Sequence, residues 1–142
     1  MAKGDFADQV KAITEKAKAR QAAIFKGSAA RVYERASLPK AQGGRMPVDT
    51  GFLRNSGKAS LEGVPTSESL DPPLAFAKMK VGDTVTVGWT AVYALRMEHG
   101  FVGEDSLGRK YAQQGNAFLM TQVQNWSFIV AEVTKEVEAA IP

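Results

Sequence analysis

The sequence predicts an α+β domain: long N-terminal and C-terminal helices packed on one antiparallel β-sheet. Three observations predict it. Apolar residues recur at three- and four-residue steps over residues 5–36 and again over 116–140, the period of a helix with one buried face. Between them, Thr84-Val85-Thr86-Val87-Gly88-Trp89 alternates and is rich in β-branched residues, the pattern of a strand. Two apolar helix faces need a common partner, and one face of a sheet supplies it. At 142 residues the chain is read as one domain, long enough to bury a core. Residues 1–46 are its N-terminal helix and loop, 47–115 its sheet region with loops, and 116–142 its C-terminal helix.

The first helix runs from Asp5 to Ala36. Phe6, Val10, Ile13, Ala17, Ile24, Ala29, Val32 and Ala36 form its apolar positions, and alanine is abundant. Gly27-Ser28 is where it would bend or divide, and Pro39 is its latest end. Ser37 to Arg45 is a loop broken by Pro39 and Gly43-Gly44. Pro47-Val48-Asp49-Thr50-Gly51-Phe52-Leu53-Arg54-Asn55-Ser56 follows. Pro47 fixes its own φ and pushes Met46 toward extended backbone. Asp49 and Thr50 carry oxygens that can bond nearby amides and hold a turn. Gly51 can take φ > 0, Phe52 and Leu53 are apolar anchors, and Arg54 presents a fixed fork of donors.

Ser56 to Glu62 reads as a strand and 63–73 as an exposed loop. Leu74 to Lys80 fits a helical turn or a strand. A hairpin is read from Lys78–Val81, a turn at Gly82-Asp83, and Thr84–Trp89. Val92 to His99 has helical spacing and ends before Gly100, a left-handed cap. Phe101 to Gln114 reads as a long loop or irregular hairpin, the place to expect a contact that orders when a neighbour arrives. Asn116 is the expected N-cap of the second long helix. Leu119, Val123, Trp126, Ile129, Val133 and Val137 form its seam. Trp89 and Trp126 both fall on apolar periodicities and are expected to be largely buried.

Hydrophobic residues make up 44% and charged residues 23% of the chain, ordinary for a globular protein. The absence of cysteine excludes disulfides and cysteine-ligated zinc. Met-Ala-Lys-Gly-Asp is not followed by an apolar signal core, and no run approaches the ~18 apolar residues of a membrane span. A cytoplasmic site of synthesis and no membrane partner are expected. The net charge of +3 is uneven: residues 1–58 hold 12 Lys and Arg against 5 Asp and Glu, and residues 59–142 hold 6 against 10. A basic half can bind nucleic acid. Opposite halves can also pair head-to-tail between copies and close a ring.

No residues are read as catalytic, cofactor-binding or metal-binding, and no enzyme is expected. His99, the single histidine, adjoins Glu98, and adjacent residues do not face each other on a helix. There is no HExxH and no phosphate-cradling loop. No serine sits in a nucleophile elbow. Asp49, Asp83, Glu98 and Asp105 lack metal-ligand spacing. Glu98 is expected to end the helix and to pair with a nearby basic residue such as Arg54.

The stretch from Pro47 to Ser56 resembles the hallmark of the neck, or tail-completion, proteins of tailed phages, a family to which the lambda minor tail protein Z is related. Two further landmarks follow in the family's order. Tyr93-Ala94-Leu95-Arg96-Met97-Glu98-His99-Gly100 matches its Tyr-Ala segment ending in Glu-x-Gly, and Gly115-Asn116-Ala117-Phe118-Leu119 matches its Gly-x-x-Phe-Leu entry to a final helix. The resemblance implies structural or assembly roles for Pro47, Asp49, Thr50, Gly51, Leu53, Arg54, Ser56, Tyr93, Glu98, Gly100, Gly115, Phe118 and Leu119. It implies a virion protein of a long-tailed phage that forms a ring, hexameric in the virion, at the head–tail interface. The implied partners are copies of the chain and other neck and tail proteins such as a stopper or connector, tail terminator or tail tube. A virion position is also compatible with weak contact with genome DNA, because genome passes through the neck. The implied location is the virion, with the host cytoplasm before assembly. The chain departs from the family's minimal pattern in residues 63–73 and 101–114. The competing expectation is a nucleic-acid-binding module that uses the basic first half, marked by a steep loss of affinity with salt.

Overall fold

The computed structural model describes residues 2–49, 51–104 and 106–142. Thr50 and Asp105 lie outside the described residues, so the expectations placed on them have no structural counterpart here. The chain is α+β, with long helices at both ends.

Helix α1 spans Ala2–Ala36 without a break. Gly27-Ser28 does not divide it. The small residues there admit a neighbour instead: a Cβ on Gly27 would lie 2.9 Å from Val133 Cγ1, and Ser28 is buried. The neighbour is the C-terminal helix, which is two segments rather than one. Helix α5, Phe118–Gln124, and helix α6, Trp126–Ala140, meet at Asn125, whose φ of −91° and ψ of 10° leave the helical register. Helix α6 runs antiparallel to α1. Arg35 pairs with Glu132 at 2.6 Å and Arg31 with Glu136 at 2.6 Å, and Arg20 Nε donates to the Ile141 carbonyl at 2.6 Å. Ile129 and Val133 are buried along this seam. The two long helices thus partner each other directly as well as the middle of the chain.

Among the described residues, that middle holds two antiparallel ribbons rather than one sheet. Strand β1, Gly57–Ser60, pairs with β2, Thr86–Trp89, with Gly57 opposite Trp89 and Ser60 opposite Thr86. Strand β3, Gly100–Glu104, pairs with β4, Lys110–Gln114. Residues 78–81 form no strand, so the expected hairpin around Gly82-Asp83 is absent. Pro72–Lys78 forms helix α3 instead, because prolines are well placed in a first helical turn. It buries Ala75 and Phe76. Gly82-Asp83 still turns, with the Lys80 amide donating to Asp83 Oδ2 at 2.8 Å. Of the long loop or irregular hairpin expected over 101–114, the hairpin forms, with β3 and β4 paired in unbroken register, and β4 is exposed throughout.

Trp89 lies between two rings, stacked on Tyr33 at 5.6 Å and edge-on to Phe118 at 5.2 Å. It is partly buried. Trp126 is 44% exposed, contrary to the expectation of burial. The break at Asn125 places it at the first turn of α6, ahead of the buried Ile129 and Val133. No helix of the described residues is long and apolar enough to cross a membrane.

Candidate functional site

The three segments that carry the resemblance converge. Leu53 from the first and Phe118 from the third share one buried cluster with Met46 and Ala91. Tyr93, Met97 and Leu119 pack against it. Leu53 belongs to a single helical turn, α2, Phe52–Asn55, led by Gly51 at φ 85°. The buried Ser56 Oγ donates to the Leu53 carbonyl at 2.7 Å, and the Thr90 amide and hydroxyl both donate to the Ser56 carbonyl at 3.0 Å. Ser56 therefore joins the motif to the end of β2.

The second and third segments lock onto each other. Helix α4, Ala94–His99, ends at Gly100. The Glu98 carboxylate accepts from the Leu119 amide at 3.2 Å and the Met120 amide at 2.8 Å. These are donors that the first turn of α5 leaves without intrahelical partners, and the negative charge suits that end of a helix. The Met97 carbonyl accepts from both the backbone and the side-chain nitrogen of Asn116, each at 2.8 Å. Asn116 is thus a buried strut and not the cap; Ala117 is the N-cap, at φ 48°. The two glycines permit the approach. A Cβ on Gly100, at φ 89°, would lie 2.7 Å from the Gly115 nitrogen, and one on Gly115 would lie 2.5 Å from the Glu98 carbonyl oxygen.

Glu98 does not pair with Arg54. Arg54 Nε donates to the Ser37 carbonyl at 3.0 Å and ties α2 to the end of α1. Asp49 is exposed, makes no side-chain hydrogen bond among the described residues, and does not cap α2. The turn is held by Gly51 and Leu53 instead.

Beside this packed node lies a cleft of about 300 Å³. Pro47, Val48, Asp49, Phe52, Tyr93 and Met97 line it. The rings of Phe52 and Tyr93 stand 6.2 Å apart, and Phe52 is 59% exposed. The motif therefore has an inner side that packs (Leu53, Ser56) and an outer side that faces solvent (Val48, Asp49, Phe52). Sequence spacing could not assign residues to sides, because the segment is a turn without a period.

Among the described residues, no three of His, Cys, Asp and Glu gather so as to hold a metal ion. His99 is exposed at the end of α4. The Glu136 carboxyl lies below the usual carboxylate range, chiefly through its hydrogen bond with Arg31, and the Arg31 guanidinium is correspondingly raised. No protein-family model, curated protein or solved structure matches the chain.

Proposed function

We propose that the chain is a structural subunit of the neck of a long-tailed phage, a tail-completion protein that joins head to tail as part of a ring and carries out no chemistry. The observation that carries this reading is the convergence of the three motif segments. Residues spaced over 47–119 make one node, with Leu53 and Phe118 in its core and Glu98 clamping Leu119 and Met120. The buried node lies behind the exposed Phe52, which leaves an apolar face at the surface for a partner to cover.

The charge asymmetry supports assembly more weakly than the sequence suggested. Arg31, Arg35 and Lys58 of the basic half pair with Glu132, Glu136 and Asp71 of the acidic half within one chain. The same pairing removes three cations from any surface that would track nucleic acid, so the DNA-binding reading gains nothing from the fold.

The test is the composition of purified virions. The chain should be present in a small fixed number of copies, and a label fused to it should lie at the head–tail junction. Virions that lack the chain would overturn the reading.

A further inference from the structure

Residues 38–46 form a closed loop between α1 and the Pro47–Ser56 segment. The Lys40 amide donates to the Met46 carbonyl at 3.0 Å, the Met46 amide to the Leu38 carbonyl at 3.2 Å, and the Gly44 amide to the Pro39 carbonyl at 2.9 Å. Met46 is buried and anchors the loop at its base. Arg45 ties the loop to a distant segment, its Nε donating to the Asn116 carbonyl at 2.8 Å. Between the loop and the end of β4 lies a cleft of about 340 Å³, lined by Lys40, Gly44, Arg45, Gln114, Gly115 and Asn116. That volume falls within the range of small-molecule sites, about 300–1,000 Å³.

The lining holds two cations and no carboxylate. Arg31, Arg35 and Lys58 each meet an acidic side chain elsewhere in the fold. Among the described residues, Lys40 Nζ has no partner, and the Arg45 side chain has none beyond the Asn116 carbonyl. That one bond orients the guanidinium and uses one of its five donors. The Gln114 side-chain amide adds donors that are also without a partner among the described residues. Like charges in one cleft disfavour each other, and a bound anion relieves the repulsion.

We infer that this cleft binds a dianionic phosphate: inorganic phosphate, or the phosphate monoester of a small polar molecule such as a sugar phosphate. The charge count selects it. A phosphate monoester carries about −1.5 to −2 near pH 7, which matches two cations, whereas a carboxylate or a phosphodiester carries a single charge. The planar fork of Arg45 suits two phosphate oxygens, and Lys40 adds a point charge. A nucleic-acid strand fits less well, because no aromatic side chain lines the cleft to stack a base. The same lack of apolar walls makes the remainder of the ligand polar. The site is separate from the Phe52 cleft and does not depend on the neck reading.

The test is a titration of the isotope-labelled chain at constant ionic strength, followed through its amide signals by nuclear magnetic resonance. The probes are inorganic phosphate, ribose 5-phosphate, acetate and a short DNA strand. Inorganic phosphate and ribose 5-phosphate should shift the amides of Gly44, Arg45 and residues 114–116 saturably, and acetate and DNA should bind more weakly. Lys40→Gln, at an amine with no partner in the fold, should weaken phosphate binding roughly tenfold, the loss of one charge-assisted hydrogen bond. Lys16→Gln, on the exposed part of α1, removes the same charge and should leave binding unchanged. Circular dichroism checks that both variants are folded. Absence of a saturable shift at these amides would overturn the inference, as would equal weakening by the two variants. Acetate binding as tightly as phosphate, or DNA binding more tightly, would overturn it too, by assigning the cleft to carboxylates or to a strand.

Discussion

At the scale of the residue, Glu98 and Asp49 separate packing from display. Glu98 accepts two amides at the start of α5, so Glu98→Ala should lower stability by about 0.5–2 kcal/mol, the usual cost of a lost helix cap. Urea unfolding measures it, and an unchanged midpoint would show that the clamp does not form in solution. Asp49 is exposed and makes no side-chain hydrogen bond among the described residues. Asp49→Ala should therefore change stability by no more than about 0.5 kcal/mol, whereas Leu53→Ala, at a site 4% exposed, should cost about 2–5 kcal/mol. If both cost alike, the division into inner and outer sides is wrong. The anchoring role of Leu53 was legible from its apolar character beside a turn. Those of Glu98 and Asn116 were not, because their partners lie some 20 residues away and no local period announces a cap supplied from a distant segment.

At the scale of the element, the long helices and the β1 and β2 strands were legible, because 3.6-residue and two-residue periods survive in their sequences. The break at Asn125 was hidden, since the seam from Leu119 to Val137 keeps its period across the break. The pairing of β2 was misread because Gly82-Asp83 is a good turn signal, and a local turn says nothing about which strand lies alongside. Helix α3 ends at Lys78, residues 79–81 form no strand, and Gly57–Ser60 lies alongside β2 instead. The seam between α1 and α6 carries a pH dependence. Arg31 holds the Glu136 carboxyl below its usual range, so the folded state binds its proton more weakly than the unfolded chain does. The contribution is complete above the ordinary carboxylate range and is lost as pH falls through the lowered value. Stability of the parent chain and of Glu136→Gln should accordingly converge as the solution is acidified and separate near neutral pH. A gap that stayed constant with pH would show that the pair does not hold the helices.

At the scale of the molecule, the two indoles report the packing. With Trp126→Phe, the remaining Trp89 should emit to the blue and resist quenching, held between Tyr33 and Phe118. With Trp89→Phe, Trp126, 44% exposed, should emit to the red and quench readily. The α+β class and single-chain order of elements followed from periodicity. The division of the sheet into two ribbons did not, because strand count fixes neither how many sheets form nor which edges meet. The cleft beside Phe52, backed by the buried node, is the surface that the proposed assembly role would use. The most direct measurement of the proposed role is made in a phage whose genome encodes the chain: the gene is deleted and the lysate viewed by electron microscopy. Filled heads and finished tails should accumulate unjoined, and adding the purified chain to that lysate should restore joined, infectious particles. Joined particles at normal yield without the gene would contradict the account.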